Sequence, residues 1–387
     1  MLNFPPGCVR FSLASRRPAR SPTDALQAVL DPELAARARA EMRSWRGYAP
    51  TPLIELPALA EWLGVSRVWC KDESARFGIG SFKALGGAYA VACVLQDEIE
   101  HRTGVRPAAE ALVRREVPEA ADFTTVTASA GNHGRAVAWG SERVGCRCVV
   151  VLPEGVESAR AAAIAAHGAE VQRFSGTYDA AVKHVTRMAE KRGWLVVSDT
   201  AWSGYEDVPR RISEGYTLLA DEMLQQLEAG AEPVPTHLFV QTGVGGLATG
   251  VCGHLWHALG AERPTFVAVE PLAWDCFSRS LRAGEPRRAA GGVDTPMGGL
   301  AAGVPSSLAW RLLSGCLDAG IAIPDAAARA AVVALATGRL GSIVTAGPSG
   351  AAGVGALLAL GRAASARRLI GLDRSSAVSV LVTEGPI

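Results

Sequence analysis

The sequence is poor in aromatic residues and in net charge. Phe, Trp and Tyr make up 6% of its 387 residues, and 39 Lys and Arg face 38 Asp and Glu, a formal net charge of +1. That balance excludes the basic excess by which nucleic-acid binders release counterions, and no nucleic-acid partner is expected. No apolar run reaches the ~18 residues of a membrane-spanning helix, so no membrane partner is expected either. None of the 8 cysteines stands in a CxxC pair. Cys146 and Cys148 are the one near pair, and without a second pair they do not make a zinc site. Most of the thiols sit in apolar sequence, which fits buried, reduced side chains in a cytoplasmic protein.

What the chain does hold is glycine, 42 residues of it, within a composition that is 49% hydrophobic. Many glycines suit tight turns and close approach of backbone to ligand. Short β-branched runs alternate with Ala- and Leu-rich helical stretches: Thr124 to Thr127 then Asn132 to Gly145, Cys148 to Leu152 then Ser158 to His167, His237 to Gln241 then Leu247 to Leu259. Such alternation predicts a two-lobed, doubly wound α/β protein with mostly parallel sheets and ligands at the carboxyl ends of strands. The expected organisation is a poorly ordered basic arm over residues 1–23, a large domain formed by 24–91 and 206–387, and a small α/β domain over 92–205. The charged stretch from Glu98 to Asp122 reads as a surface insertion, partly helical.

Five segments carry candidate chemistry. Gly80-Ser-Phe-Lys83 opens an apolar helix. A positive charge there opposes the helix dipole by about 0.3–1 kcal/mol. Either Lys83 is a solvated first-turn lysine, or apolar neighbours lower its pKa and make it the nucleophilic amine that a Schiff base requires. Ser129-Ala-Gly-Asn-His-Gly134 joins a strand to a helix and offers amide N–H groups to an anion such as an α-carboxylate. Asn132 can donate to a phenolate-like oxygen, while His133 reads equally as a capping or packing residue. Gln241-Thr-Gly-Val-Gly-Gly-Leu247 is a glycine turn before a helix, suited to a phosphate. It lacks the Lys-Ser/Thr of a nucleotide P-loop, and it loosely matches a dinucleotide fingerprint, so both readings stand. Ala346-Gly-Pro-Ser-Gly350 and Val382-Thr-Glu384 complete the set with turn chemistry and a late hydroxyl.

Gly-Ser-Phe-Lys, Ser-Ala-Gly-Asn-His-Gly and Gly-Val-Gly-Gly-Leu resemble the motifs of the fold-type II pyridoxal-phosphate (PLP) enzymes, the tryptophan synthase β-like superfamily that includes threonine and serine dehydratases. Arg76 to Tyr89, Gly131 to Trp139, Ser198 to Tyr205, Val269-Glu-Pro271 and Asp275-Cys276 look most like diaminopropionate ammonia-lyases. The resemblance implies that pyridoxal 5'-phosphate is the cofactor and that Lys83 holds it and moves protons. It implies that Gly243, Val244, Gly245, Gly246 and Leu247 bind the phosphate, that Asn132 meets the ring hydroxyl and that Thr383 faces the ring nitrogen. It further implies that Ser129, Ala130, Gly131, Asn132 and His133 line the substrate carboxylate, and that Asp199, with Tyr178 nearby, receives a second amino group. The implied reaction is α,β-elimination of ammonia from L-2,3-diaminopropionate or a related β-substituted L-amino acid, in a homodimer. Serine/threonine dehydration, β-replacement and a non-catalytic descendant of the fold are the alternatives. Departures from the lyase pattern are Ala130 where an aspartate is expected, Pro348 for a glutamate, and Ala302 for the cysteine that would pair with Cys276. A methyl group at 130 cannot act as a base, so D-isomers are expected to fail.

Overall fold

The computed structural model describes residues 9–129, 131–176, 178–361 and 364–386. It divides the chain into two units, one of residues 1–32, 50–82 and 217–387, the other of 33–49 and 83–216. The strands in chain order are Arg10–Leu13 (β1), Leu53–Glu55 (β2), Arg67–Asp72 (β3), Thr124–Ala128 (β4), Arg147–Pro153 (β5), Glu170–Phe174 (β6), Leu195–Val196 (β7), His237–Gln241 (β8), Thr265–Pro271 (β9), Ala319–Ile323 (β10) and Ala377–Val382 (β11).

The first unit is built on a sheet of order β1-β10-β9-β8-β11-β3-β2. Pairings from β10 to β3 are parallel, and the edge strands β1 and β2 are antiparallel. The central strands β8, β10 and β11 are buried along their whole length, which is why they read as continuous apolar runs and not as alternating ones. Helices Gly246–Leu259 and Ala352–Leu360 are likewise apolar almost all round and buried. Because β3, β8 and β11 run parallel, the segments after Asp72, Gln241 and Val382 leave from one edge of the sheet. At that edge Ser81 bridges Glu384, and the Phe82 N–H donates to the Thr383 carbonyl at 3.1 Å.

A charged cluster is sealed inside this unit. Lys71, Glu73, Arg76 and Glu222 are each at most 2% exposed. Lys71 Nζ donates to Glu222 Oε2 at 2.7 Å, to the Thr51 carbonyl at 2.7 Å and to Gln226 Oε1 at 2.9 Å. The Arg76 guanidinium reaches both oxygens of Glu73 and both of Glu222 at 2.7–2.8 Å. Two cations and two anions cancel, and the donors and acceptors are saturated, the condition under which buried charge is tolerated.

The second unit holds an all-parallel sheet, β6-β5-β4-β7. Its helix Lys83–Thr103 is clamped by small residues. A Cβ on Gly215 would stand 2.1 Å from the Leu85 carbonyl, and one on Gly140 would stand 2.6 Å from Ala88 Cα. Backbone therefore meets backbone on both flanks of this helix, and the position of its first residue, Lys83, is set by contacts that no larger side chain permits.

Several expectations are corrected. The arm over 1–23 is not loose throughout: Arg10–Leu13 pairs with β10, and Arg10 forms an ion pair with the buried Asp275. The compact units meet at 82/83 and 216/217, close to the expected domain limits of 91/92 and 205/206, and residues 33–49 belong to the second unit. The helix from Lys83 continues to Thr103, past the start of the expected insertion, whose remainder forms the helix Ala109–Val113 and a 3-10 turn at Pro118–Asp122. The thiols, by contrast, are as expected: the seven cysteines among the described residues are free and buried, Cys276 included.

Candidate functional site

In the second unit Lys83 opens its helix with its amine 2.5 Å from Asp199 Oδ2. The two side chains are 20% and 16% exposed, so the pair is sheltered yet reachable. Asp199 follows β7 in a loop pinned by Tyr205: the Tyr205 hydroxyl donates to the Val196 carbonyl at 2.9 Å and accepts the Ser198 N–H at 2.9 Å, while its ring stacks on Trp202 at 4.1 Å. His133 lies in the first turn of helix Asn132–Val144, 4% exposed, with Nε2 at 2.9 Å from the Val197 carbonyl. Its Nδ1 has no hydrogen-bond partner among the described residues and stands 3.9 Å from Asp199 Oδ2. The Tyr216 ring, set against Gly86, has its centroid 5.9 Å from Lys83 Nζ.

The electrostatics follow from this geometry. Burial alone would lower the Lys83 pKa, but the Asp199 carboxylate outweighs it and the net shift is upward. Burial would raise Asp199, and the Lys83 ammonium overturns that, holding the carboxyl below the ordinary range. Of the two readings left open for Lys83, neither a solvated lysine nor a lowered pKa describes this geometry: apolar neighbours are present, but a carboxylate 116 positions along the chain decides the sign. Burial, reinforced by the Lys83 charge, lowers His133, so its ring is neutral at pH 7. Burial pushes the Tyr216 hydroxyl up to about 12.

Ser129, Gly131 and Asn132 are partly exposed at the carboxyl end of β4. The Gly131 N–H points to Ser129 Oγ at 3.5 Å, a long contact. A Cβ on Gly134 would strike the Ser129 carbonyl at 2.4 Å, so this glycine lets the loop fold back onto the helix start. Ala130 lies outside the described residues. Tyr178 begins the helix Tyr178–Arg192, and its side chain lies outside what is described.

In the first unit the turn after β8 runs through Gly243 and Val244 into helix Gly246–Leu259. Gly245 has φ +103°, and a Cβ there would meet Phe277 Cζ at 2.6 Å and Ala309 Cβ at 2.7 Å. Only glycine satisfies both conditions. The Val244 carbonyl accepts the Ser306 N–H at 3.0 Å, which fixes the turn's orientation. The first-turn amides of Gly246 and Leu247 have no acceptor within their own helix, the usual basis for anion binding. Thr383, 4% exposed, follows β11 on the same edge of the sheet. Beside the turn a Cβ on Gly243 would stand 3.0 Å from the Gly299 carbonyl, and the Gly299 N–H donates to Ser349 Oγ at 3.2 Å.

The second unit has a sheltered, partly exposed amine with an acid beside it and a histidine nitrogen left open; the first has a glycine turn at a helix start. This donor set fits an aldehyde cofactor with a phosphate, for which a lysine amine and a phosphate cradle are the two requirements. Tyr216, which approaches the Lys83 amine, was not visible in the sequence. The only signal that could have found it is a helix rich enough in glycine, Gly86 and Gly87, to admit a large ring.

The model of the family described as "Pyridoxal-phosphate dependent enzyme" matches residues 45–372. The diaminopropionate ammonia-lyase of Salmonella typhimurium is 38% identical over 346 residues, covering 87% of this chain and 85% of its own. Holo diaminopropionate ammonia lyase from Escherichia coli superposes with a TM-score of 0.88 at 32% identity, covering 97% of this chain and 93% of its own. The same enzyme in complex with an aminoacrylate-PLP azomethine reaction intermediate superposes at 0.86, with 34% identity and coverages of 97% and 94%. With that match over most of its length, and with the lysine and the glycine turn both in place, the chain belongs to the pyridoxal-phosphate dependent enzymes of fold type II.

Proposed function

We propose that this enzyme eliminates the β-amino group of L-2,3-diaminopropionate or a close relative as ammonia, and that water then hydrolyses the released 2-aminoacrylate to a 2-oxo acid and a second ammonia. When bound, the cofactor supplies an electron sink for the pair left at the substrate's Cα. Lys83 would hold it, the amides of Gly243, Val244, Gly245, Gly246 and Leu247 would take its phosphate, and Asn132 and Thr383 would meet its ring hydroxyl and ring nitrogen. A threonine hydroxyl, unlike a carboxylate, need not protonate that nitrogen, which favours elimination over wider carbanion chemistry. The Lys83 amine would take the Cα proton and return one to the departing group. Ser129, Gly131 and the neutral His133 would orient the α-carboxylate.

The observation that carries the reading is Asp199 at 2.5 Å from Lys83. A carboxylate held ionised in a sheltered site needs a cation whenever the Lys83 charge is engaged elsewhere. The β-ammonium of diaminopropionate supplies one, and the β-hydroxyl of serine or threonine does not. The similarity to diaminopropionate ammonia-lyases over 87% of the chain supports the same substrate class. Steady-state assay of oxo-acid release from L-diaminopropionate, L-serine and L-threonine tests it: the diamine is expected to lead in kcat/KM, and turnover of the hydroxy amino acids alone would reject it. Free, buried thiols fit a reducing cytoplasm, and among the described residues no helix is long and apolar enough to cross a membrane. A homodimer is inferred from the prevalence of twofold assemblies among enzymes.

A further inference from the structure

The second unit contains a cavity of about 670 Å3, within the size range of small-molecule sites. Its walls come from the end of helix Pro32–Ser44, the last turns of helix Asn132–Val144, and the segment around Ala109–Val113 that belongs to the charged stretch after Glu98. Four arginines line it, Arg46, Arg114, Arg115 and Arg143, against two acids, Glu110 and Glu142.

Both acids are already engaged. Glu110 forms an ion pair with Arg114 at 2.7 Å, and Glu142 Oε2 shares a hydrogen bond with His167 Nδ1 at 2.9 Å. Arg46, Arg115 and Arg143 make no ion pair with a carboxylate among the described residues. Arg115 and Arg143 spend one N–H each on backbone carbonyls, those of Glu142 and Arg46. The Arg143 guanidinium lies over two neighbouring indoles, 5.4 Å from the Trp45 centroid and 5.0 Å from that of Trp139, and its Nε is buried without a partner. Burial and the nearby Arg46 charge both lower the Arg143 pKa, the mark of cations held together without a counterion. Arg115 also sits at φ +59°, a backbone conformation that non-glycine residues rarely adopt.

We propose that this cavity binds a phosphorylated small molecule of up to nucleotide size, its phosphate oxygens bridging the guanidinium groups of Arg46, Arg115 and Arg143. Phosphate suits this arrangement better than a single carboxylate, because it presents oxygens to several planar donor forks at once. The indoles hold Arg143 in place and supply an apolar wall for the organic part of the ligand.

Calorimetric titration of the holoenzyme, whose cofactor phosphate is already bound, tests this with pyrophosphate, AMP and citrate. Saturable binding of pyrophosphate and AMP at one site per chain is expected, and R143Q and R46Q should each weaken it about tenfold, the loss of one charge-assisted contact. No saturable binding at millimolar pyrophosphate overturns the proposal. So does unchanged affinity in R46Q, whose exposed side chain can be replaced without disturbing the core even if R143Q fails to fold. Tighter binding of citrate than of pyrophosphate would assign the cavity to carboxylates and also overturn it. Binding is read directly, so the result is independent of which amino acid the enzyme turns over.

Discussion

The molecule has two sheltered clusters built around a lysine, and they are wired in opposite ways. Around Lys71 two cations and two carboxylates saturate one another, with the Arg76 guanidinium alone making four short contacts to carboxylate oxygens. Around Lys83 one cation faces one carboxylate, and a histidine nitrogen at 3.9 Å is left unpaired. The first group has no capacity left to bind anything, and a change to it is a change in stability. The second keeps open valence at a partly exposed position, which is where a cofactor and a substrate can complete it. A lysine's neighbours, and not its burial alone, separate a structural role from a chemical one.

The sharpest way to break this contrast is to remove each cluster's key cation. Lys83→Ala is expected to cost about a thousandfold or more in elimination rate, since proton transfer and cofactor attachment are lost together, while leaving the circular dichroism of the holo preparation native-like. Retention of more than a tenth of the activity would sink the assignment of Lys83. Arg76→Leu should do the reverse. It leaves Glu73 and Glu222 facing a single cation in a dry site, and uncompensated buried charge of this kind costs about 3–5 kcal/mol. The measurement is the urea midpoint of the purified variant, and a shift of less than about 0.5 kcal/mol would show that the cluster carries no stability.

Asp199→Asn comes next in size. The amide keeps the shape and loses the charge, so kcat/KM for L-diaminopropionate should fall by about 10- to 150-fold, the value of a hydrogen bond to a charged group. Activity on L-serine should change far less. An equal loss on both substrates would move Asp199 from substrate recognition to general support of Lys83. The same logic extends to stereochemistry. Ala130 carries no base, so turnover of D-diaminopropionate is expected to be absent at enzyme concentrations that turn over the L-isomer readily, and comparable rates on both would locate the second base elsewhere.

How much of this could be read from the chain depends on the range of the interaction. The Gly80-Ser-Phe-Lys83 segment, the Ser129 to Gly134 loop and the Gly243 turn are local: each motif is contiguous, and each appears where its strand-to-helix junction was expected. Partnerships across the sequence were not legible as physics. Nothing near Lys71 and Arg76 announces Glu222, 151 and 146 positions away. The sign of the Lys83 shift was left open for the same reason, since it is decided by Asp199. Tyr216 became visible only when the helices around Gly86 and Gly215 were packed. The helix Pro32–Ser44 buries Ala35, Ala38 and Met42, a stripe that any neighbouring surface could have covered, so its sequence does not say which unit it joins.

Another buried acid, outside both clusters, separates the two features that distinguish them, donors and countercharge. Glu270 is fully buried and accepts the N–H groups of Phe277 and Ser278 at 2.6 and 2.8 Å and the Ser278 hydroxyl at 2.7 Å. It therefore has donors like the Lys71 cluster but no cation, and Asp275 lies nearby with like charge. Burial outweighs the donors and raises its pKa from 4.5 to about 7. The sign of the consequence is fixed. Between pH 4.5 and about 7 the unfolded chain has lost this proton while the folded one retains it, so the group's contribution to stability falls as pH rises through that interval. Glu270→Gln removes the titration while keeping an acceptor oxygen. The thermal midpoint of the variant should consequently decline less than that of the parent from pH 4.5 to 7, with the two curves parallel above that range. If the parent and the variant lose stability in parallel across the interval, hydrogen bonds alone are enough to hold a buried carboxylate ionised. The absence of a cation beside Glu270 would then carry no weight, and the contrast between the two lysine clusters would rest on donor count alone.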